Sequence, residues 1–337
     1  MFKKCVIAIV ILSLILGGIS TAAVHQKQAI VLRDGLTACT NVSSVSNDDF
    51  YFVQITDPHI RFPLFDKIHF FNGEKLDSKE KFETVINYVI SFEPKPAFVV
   101  ITGDVVDWAS GNSGILNCLT FVGCLHKEDN QLYADEACSI PVYVIPGNHD
   151  YRRTTSLSNY YQYIDPNHSV RNNKFTVTHQ NVCLFFLDSG HDYILQPKDW
   201  IKVQGSGLWS WDIKWLRDEL ENCNAEHKII LMHHPAVNWF VNLFKKDVIH
   251  RNRRTFIRLC DDYDVELVLA GHTHKARVFS TENFIPKHYC NEILPLNCSQ
   301  YSSLYVQTAS CVEDWAYRNI SVKSNHVWLE KCEYVNS

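Results

Sequence analysis

Five short polar motifs, each directly after a run of apolar residues, constrain this chain more than any other feature of its sequence. Every motif contains Asp, Asn or His. The motifs are Asp57-Pro58-His59, Gly103-Asp104-Val105-Val106-Asp107, Gly147-Asn148-His149-Asp150, His233-His234-Pro235 and Gly271-His272-Thr273-His274. An apolar run that ends in reactive side chains is typical of a buried strand in an α/β sheet, where such groups gather beyond the carboxyl ends of the strands. We therefore expect the five motifs to meet in space.

The segments around the motifs alternate between strand and helix patterns, which predicts a layered α/β domain. The predicted strands cover residues 51–55, 97–101, 141–145, 182–187, 228–232 and 265–270, and the predicted helices cover residues 78–92 and 211–220. The first helix has apolar residues at helical spacing from Phe82 to Ile90, with Ser78 as its cap. Residues 301–308, 317–322 and 327–332 have strand patterns, the last two joined by a turn at Ser324-Asn325.

The N-terminus has the pattern of a signal peptide over residues 1–23. Lys3 and Lys4 precede an apolar run at residues 6–17, and small residues follow up to Ala23. We expect an exported protein, with an uncleaved N-terminal anchor as the alternative. Residues 24–49 form a polar extension, with one edge strand at 29–33. Residues 50–337 form a single domain, in which 280–337 complete the second sheet.

The cysteines and glycosylation patterns agree with export. Of twelve cysteines, Cys5 lies in the leader, and at least one of the other eleven has no partner within the chain. We expect disulfides within two clusters, with a structural zinc site as the alternative; the clusters are Cys118, Cys124 and Cys138, and Cys290, Cys298, Cys311 and Cys332. Acceptor triplets for glycosylation begin at Asn41, Asn167, Asn297 and Asn319.

Each motif alone would be compatible with an ordinary turn, but the shared chemistry of the five predicts a metal centre. Carboxylate and imidazole ligands suit Zn, Fe or Mn better than Ca or Mg. Two such divalent or trivalent cations lower the pKa of a shared water and clamp the oxygens of a phosphate ester. The net charge of −5 argues against a general nucleic-acid binder.

The ordered motif set resembles the calcineurin-like metallophosphoesterase superfamily over residues 51–277, and its style is closest to the cyclic-nucleotide and glycerophosphodiester phosphodiesterase branch. The resemblance implies a four-layer α/β/β/α sandwich with two mixed sheets and the metal site at the carboxyl ends of the strands. It also implies that Asp57, His59 and His274 bind a first metal, and that Asp104 bridges to a second.

The same resemblance implies that Asn148, His233 and His272 complete the second metal. His233 is preferred to His234 because the family places its ligand two residues before the proline. His149 would act as the catalytic group over the substrate and help the leaving alkoxide depart. Asp150 and Asp107 would orient histidines. Purple acid phosphatases have a tyrosine where this chain has Asp107, so no tyrosinate–iron colour is expected.

The expected function is that of a secreted dinuclear phosphoesterase which hydrolyses small-molecule phosphodiesters by in-line attack of a metal-bridging hydroxide. A phosphomonoesterase of the same fold and a catalytically silent binding module are the alternatives. The expected partner is a small-molecule phosphate ester, with no specific nucleic acid and no membrane beyond a possible N-terminal anchor. The sequence leaves the oligomeric state open.

Overall fold

The computed structural model describes residues 49–68, 77–125, 140–152, 156–169, 171–191, 206–239, 248–290 and 293–335. The predicted signal peptide, the extension up to residue 48 with its edge strand, the triplet at Asn41, and Cys138 lie outside the described residues. Within the described ranges, no helix combines the length and the apolar character that a membrane crossing requires.

Thirteen strands in the described ranges form two sheets. The strands are β1 (Phe50–Ile55), β2 (Val99–Thr102), β3 (Val142–Ile145), β4 (Lys174–His179), β5 (Val182–Leu187), β6 (His227–Leu231), β7 (Leu267–Ala270), β8 (Arg277–Glu282), β9 (Ile285–Tyr289), β10 (Leu296–Asn297), β11 (Leu304–Gln307), β12 (Ala316–Lys323) and β13 (His326–Tyr334). The first sheet has the order β10-β13-β12-β1-β2-β3, and the second has the order β4-β5-β6-β7-β11-β8-β9. Both sheets mix parallel and antiparallel pairs.

Helices cover the outer faces of both sheets. They are α1 (Pro63–Ile68), α2 (Ser78–Ile90), α3 (Gly111–Leu125), α4 (Ser210–Asn222), α5 (Arg253–Asp262) and α6 (Cys311–Asp314), with a π-helical turn at Tyr160–Ile164 and a 3-10 turn at Cys298–Gln300. One core joins the first sheet to α2 and α3, and another joins the second sheet to α4 and α5. A third lies between the sheets. The predicted fold of two mixed sheets between helical layers is confirmed.

Two local predictions differ from the structure. The cap of α2 is Asp77, whose carboxylate accepts from the Glu80 amide at 3.1 Å, whereas Ser78 Oγ accepts from the Arg61 amide at 3.0 Å. The C-terminal strands also divide between the sheets. β9 and β11 join the second sheet, but β10, β12 and β13 join the first because β12 pairs antiparallel with β1. The C-terminal strands therefore complete both sheets.

The structure does not form the predicted disulfides of the C-terminal cluster, because three of its cysteines lie in separate cores and Cys290 is exposed. Cys298 packs between the sheets, Cys311 packs under α2 and α3, and Cys332 packs in a small separate cluster. None of the nine cysteines among the described residues is part of a disulfide. Burial raises the pKa of the Cys298 thiol well above its ordinary value, so this thiol is inert at neutral pH.

Candidate metal centre

The predicted ligands converge because five parallel strands end at one edge of the sandwich. In the first sheet β1, β2 and β3 run parallel, and in the second β6 and β7 run parallel. Two main-chain hydrogen bonds join neighbouring strand ends within the sheets: Asp57 N donates to Gly103 O at 3.2 Å, and Gly271 N donates to His233 O at 3.0 Å. The loops after all five strands therefore form a single polar pocket.

A first ligand group consists of Asp57, His59 and His274. Their ligand atoms lie within 4.8 Å of one another. The Nε2 atoms of the two imidazoles are 3.2 Å apart, and His274 Nε2 is 3.4 Å from Asp57 Oδ1. Two imidazole nitrogens and a carboxylate oxygen at this spacing fit a transition-metal cation held between them.

A second ligand group consists of Asn148, His233 and His272. Asn148 Oδ1 lies 2.8 Å from His233 Nε2 and 3.0 Å from His272 Nδ1. Asp104 Oδ2 lies 3.3 Å from His233 Nε2 and 3.7 Å from His59 Nε2. This one carboxylate oxygen therefore stands between the two ligand groups, the position that a carboxylate bridging two cations requires.

Outer hydrogen bonds set the orientation of the ligand imidazoles. His233 Nδ1 donates to the Thr102 carbonyl at 2.9 Å, which fixes the proton on Nδ1 and leaves the Nε2 lone pair facing the pocket. His274 Nδ1 lies 2.9 Å from Glu313 Oε1 on α6. Such partners orient metal-binding histidines and raise their basicity. No motif in the sequence identified Glu313.

Opposite charges stabilise each other in this pocket. Burial raises the pKa of Asp57, but the hydrogen bond to His274 and the charge of His233 outweigh it, and the pKa falls to about 2. Burial also raises the pKa of Asp104, but the charge of His233 outweighs burial and holds this pKa well below its ordinary value. Burial lowers the pKa of His233, but the charge of Asp104 outweighs burial and raises this pKa to about 10. For His59, burial prevails and lowers the pKa to about 4. Cations binding here would displace protons from imidazoles.

His149 stands at the side of the pocket, fixed by Asp107. His149 Nδ1 lies 2.7 Å from Asp107 Oδ1, and its ring centroid is 4.4 Å from that of His59. Asp107 also accepts from Arg61 at 2.9 Å and from Arg152 at 3.0 Å. Burial lowers the pKa of His149, but the charges of Asp104 and Asp107 outweigh it and raise the pKa above its ordinary value. His149 is therefore a suitable proton donor at neutral pH.

Asp150 has a different role from the predicted orientation of a histidine. Its buried carboxylate accepts the backbone N–H groups of Gly147, Val105 and Val106 at 2.7, 3.2 and 2.9 Å. It therefore ties the loop after β2 to the loop after β3. Burial, followed by the charge of Asp104, raises the pKa of Asp150 to about 7.

Glutamine side chains inside the strands support the ligand loops, and the motifs did not reveal them. Gln307 is buried at the end of β11; its Nε2 donates to the Val237 carbonyl at 2.7 Å, and its Oε1 accepts from Thr273 at 2.6 Å. Gln54 is buried in β1, and its Nε2 donates to the Ala270 carbonyl at 3.2 Å. In the sequence, each of these glutamines is visible as a polar residue within an otherwise apolar strand.

Glycines allow the backbone to come this close. Gly103 has a left-handed φ of +90°, and a Cβ there would overlap the ring of His233. At Gly271 a Cβ would overlap Thr56 Oγ1 and press on the Asp57 carboxylate. Any larger residue at either position would displace a ligand.

We predict that Gly271→Ala destabilises the protein and weakens metal binding. Overpacking of this kind costs about 1–3 kcal/mol of unfolding free energy. Gly123→Ala is the matched control, because a Cβ at this helical position has no neighbour within 4 Å. It should gain about 0.5–1 kcal/mol. Urea unfolding and Mn²⁺ titration measure both variants, and equal stabilities would contradict the packing described for Gly271.

We predict a specific pH dependence for His274. Burial lowers the pKa of His274, but the hydrogen bond to Asp57 and the charge of Asp57 outweigh burial and raise this pKa from an ordinary 6.5 to about 9. Because this pKa is higher in the folded state than in the unfolded state, the protonated ring stabilises the fold fully below about pH 6.5. That stabilisation is lost as the pH rises through about 9. In chelator-treated protein, the stability difference between wild type and His274→Gln should therefore shrink between pH 6 and pH 10. A constant or growing difference in urea unfolding would refute the ion pair.

Comparison with known proteins agrees with this geometry. A family model described as calcineurin-like phosphoesterase matches residues 50–276. The chain is 24% identical over 226 residues, or 66% of its length and 71% of the relative's, to a probable glycerophosphodiester phosphodiesterase, GpdQ, of Arcobacter nitrofigilis. Its fold is similar to that of a dimetal phosphatase from Danio rerio, with a TM-score of 0.57 and 13% identity over 85% of this chain and 97% of the other. The motif resemblance is confirmed, and this protein belongs to the calcineurin-like phosphoesterase family.

Proposed function

We propose that this protein hydrolyses phosphodiesters of small molecules with two transition-metal cations. The observation that carries the proposal is the placement of Asp104 Oδ2 between the two ligand groups, 3.3 Å from His233 Nε2 and 3.7 Å from His59 Nε2. When bound, a pair of cations activates water and neutralises charge on the phosphoryl oxygens. The similarity to a probable glycerophosphodiester phosphodiesterase of Arcobacter nitrofigilis supports a diester over a monoester.

The chain's own residues supply orientation and a proton. Asp107 holds the His149 ring by Nδ1, so Nε2 is the nitrogen that would meet the departing oxygen. The raised pKa of His149 favours the protonated ring, the form that donates a proton to the leaving alkoxide. Arg61 donates to Asp107 Oδ2 and Arg152 donates to Asp107 Oδ1, and both bonds help to hold the carboxylate against His149.

We predict that the protein with Mn²⁺ hydrolyses bis-p-nitrophenyl phosphate faster than p-nitrophenyl phosphate, and that a chelator abolishes both activities. Asp104→Asn should lower turnover of the diester by several orders of magnitude, because both ligand groups lose their shared anion. Asp218→Asn is the control, since this half-exposed Asp of α4 pairs with Lys214 and belongs to neither ligand group. It should keep wild-type turnover.

Each contrary result of this assay has a distinct meaning. Faster hydrolysis of the monoester would replace the diesterase assignment by a phosphatase. Lack of turnover of either compound with any metal would favour a silent binding module. Normal turnover of Asp104→Asn at saturating Mn²⁺ would refute the bridging role.

We also propose that the protein is exported, on the basis of Lys3, Lys4, the apolar residues 6–17 and the small residues that end at Ala23. After expression in a secretory host, mass spectrometry of the mature N-terminus should show a chain that begins at Val24. An intact N-terminus extracted only by detergent would support the anchor instead, and an intact soluble chain would contradict both.

A further inference from the structure

Two cysteines meet where the outer helix α4 ends beside β5, away from the metal centre. Cys223 directly follows α4, and its backbone N–H donates to the Leu220 carbonyl at 3.3 Å. Cys183 is the second residue of β5 and is buried in the core beneath α4, against which Cys223 packs. Because β5 runs parallel to β6, whose carboxyl end carries a ligand loop, the start of β5 lies at the opposite edge of the sheet.

The two thiols face each other. A side-chain hydrogen bond joins Cys183 to Cys223. Thr178 Oγ1, directly opposite Cys183 on β4, donates to Cys183 Sγ at 3.8 Å. The sulfurs of a disulfide are about 2.05 Å apart, so small rotations of two side chains already in contact bring them to bonding distance.

An open cleft gives solvent access to this contact. The cleft has a volume of about 540 Å³, and its lining includes both cysteines, Thr178, Glu219 and Glu226. Its volume is within the range of pockets that admit small molecules. Cys223 is partly exposed, whereas Cys183 is only 5% exposed. A small reagent that enters the cleft therefore meets Cys223 first.

The buried thiol depends on its neighbour for reaction. Burial, followed by the neighbouring Cys223 thiol, raises the pKa of Cys183 to about 12. Because the thiolate is the form that attacks a disulfide, Cys183 reacts poorly with free reagents at neutral pH. A mixed disulfide on Cys223 would hold its electrophilic sulfur against Cys183, and this proximity favours the attack.

We propose that Cys183 and Cys223 form a disulfide that ties the end of α4 to β5, by exchange with a small disulfide oxidant. The Cys223 thiolate attacks the oxidant, whose S–S bond breaks and releases one thiol. Cys183 then gives up its proton and attacks the Cys223 sulfur, and the second thiol leaves. The two protons of the protein thiols end on the two released thiols, so the protein is oxidised and the reagent is reduced.

Formation of this disulfide in the cell rests on the proposed export, because protein disulfides persist in oxidising compartments. The chemistry itself does not depend on the phosphoesterase assignment, since neither cysteine belongs to a ligand group. The pair also differs from the two cysteine clusters that the sequence indicated.

The test treats the full chain, purified in its reduced state, with hydroxyethyl disulfide, a neutral reagent that the carboxylates of the cleft do not repel. Remaining thiols are alkylated after unfolding, and trypsin is added without a reductant. Cleavage after Lys and Arg places Cys183 in a peptide of residues 175–198 and Cys223 in one of residues 218–228, each with one cysteine. Mass spectrometry should find these two peptides joined, two hydrogens lighter than their sum.

Oxidation should also raise the melting temperature. The disulfide closes a loop of about 40 residues and restricts the unfolded chain, so the oxidised protein should melt about 5 °C or more above the reduced protein. Cys223→Ser replaces a partly exposed residue, and it should abolish both the joined peptides and the rise. Cys290→Ser is the matched control, because it removes an exposed cysteine elsewhere and should keep both.

The contrary outcomes separate this inference from the proposed function. Separately alkylated peptides, a mixed disulfide on Cys223 that never passes to Cys183, or a link from either residue to another cysteine would overturn the disulfide. A melting temperature unchanged by oxidation would overturn the tie between α4 and β5. Failure to hydrolyse phosphate esters in a protein with the joined peptides would overturn the proposed function alone.

Discussion

The metal centre depends on a buried polar bridge between the two sheets, with Gln54 at its middle. The Gln54 amide group donates to Thr102 Oγ1 at 2.9 Å in the first sheet and to the Ala270 carbonyl at 3.2 Å in the second. Thr308 Oγ1 donates to the Gln54 carbonyl oxygen at 2.8 Å. A buried amide is costly unless its polar atoms are paired, so this bridge favours one relative position of the sheets. In that position the end of β1 faces the end of β7, and the backbone N–H of His272 reaches the Asp57 carboxylate at 3.1 Å.

Such close convergence is accompanied by backbone strain at the ligands themselves. Asp57, His59, Asp104, His272 and His274 have φ angles of 54°, 45°, 48°, 67° and 53°. Residues other than glycine rarely adopt this left-handed region, and each instance costs of order 1 kcal/mol or more. The strain persists because apolar strands bury the chain immediately before each ligand loop. Strained positions that coincide with five of the seven predicted ligands indicate a site shaped for binding and not for maximal stability.

The sequence predicted residues that converge at the candidate metal centre and missed most of their supports, for a physical reason. A strand buried on both faces is a continuous apolar run, so the place where it stops is visible, and Asp57, Asp104 and His272 were found there. The edge strands β4 and β9, and β8 beside β9, are only partly buried and carry no such run. Gln307 and Glu313 act through partners far away in sequence, and no local spacing encodes those contacts. The cap of α2 was misplaced by one residue because Asp77 and Ser78 are both good caps.

The hydrogen bonds of the chain itself bring the ligand atoms together, so metal binding and folding reinforce each other. His59 Nε2 and His274 Nε2 are held 3.2 Å apart, close enough for one ring to donate a hydrogen bond to the other. Thr102, Glu313 and Gln54 fix the surrounding groups, and the cost of assembling the ligands is met during folding. A cation that enters such a pocket loses little free energy to rearrangement and stabilises the folded state by mass action. Cations bound there would also relieve the repulsion between Asp57 and Asp104 and so stabilise the strained loops.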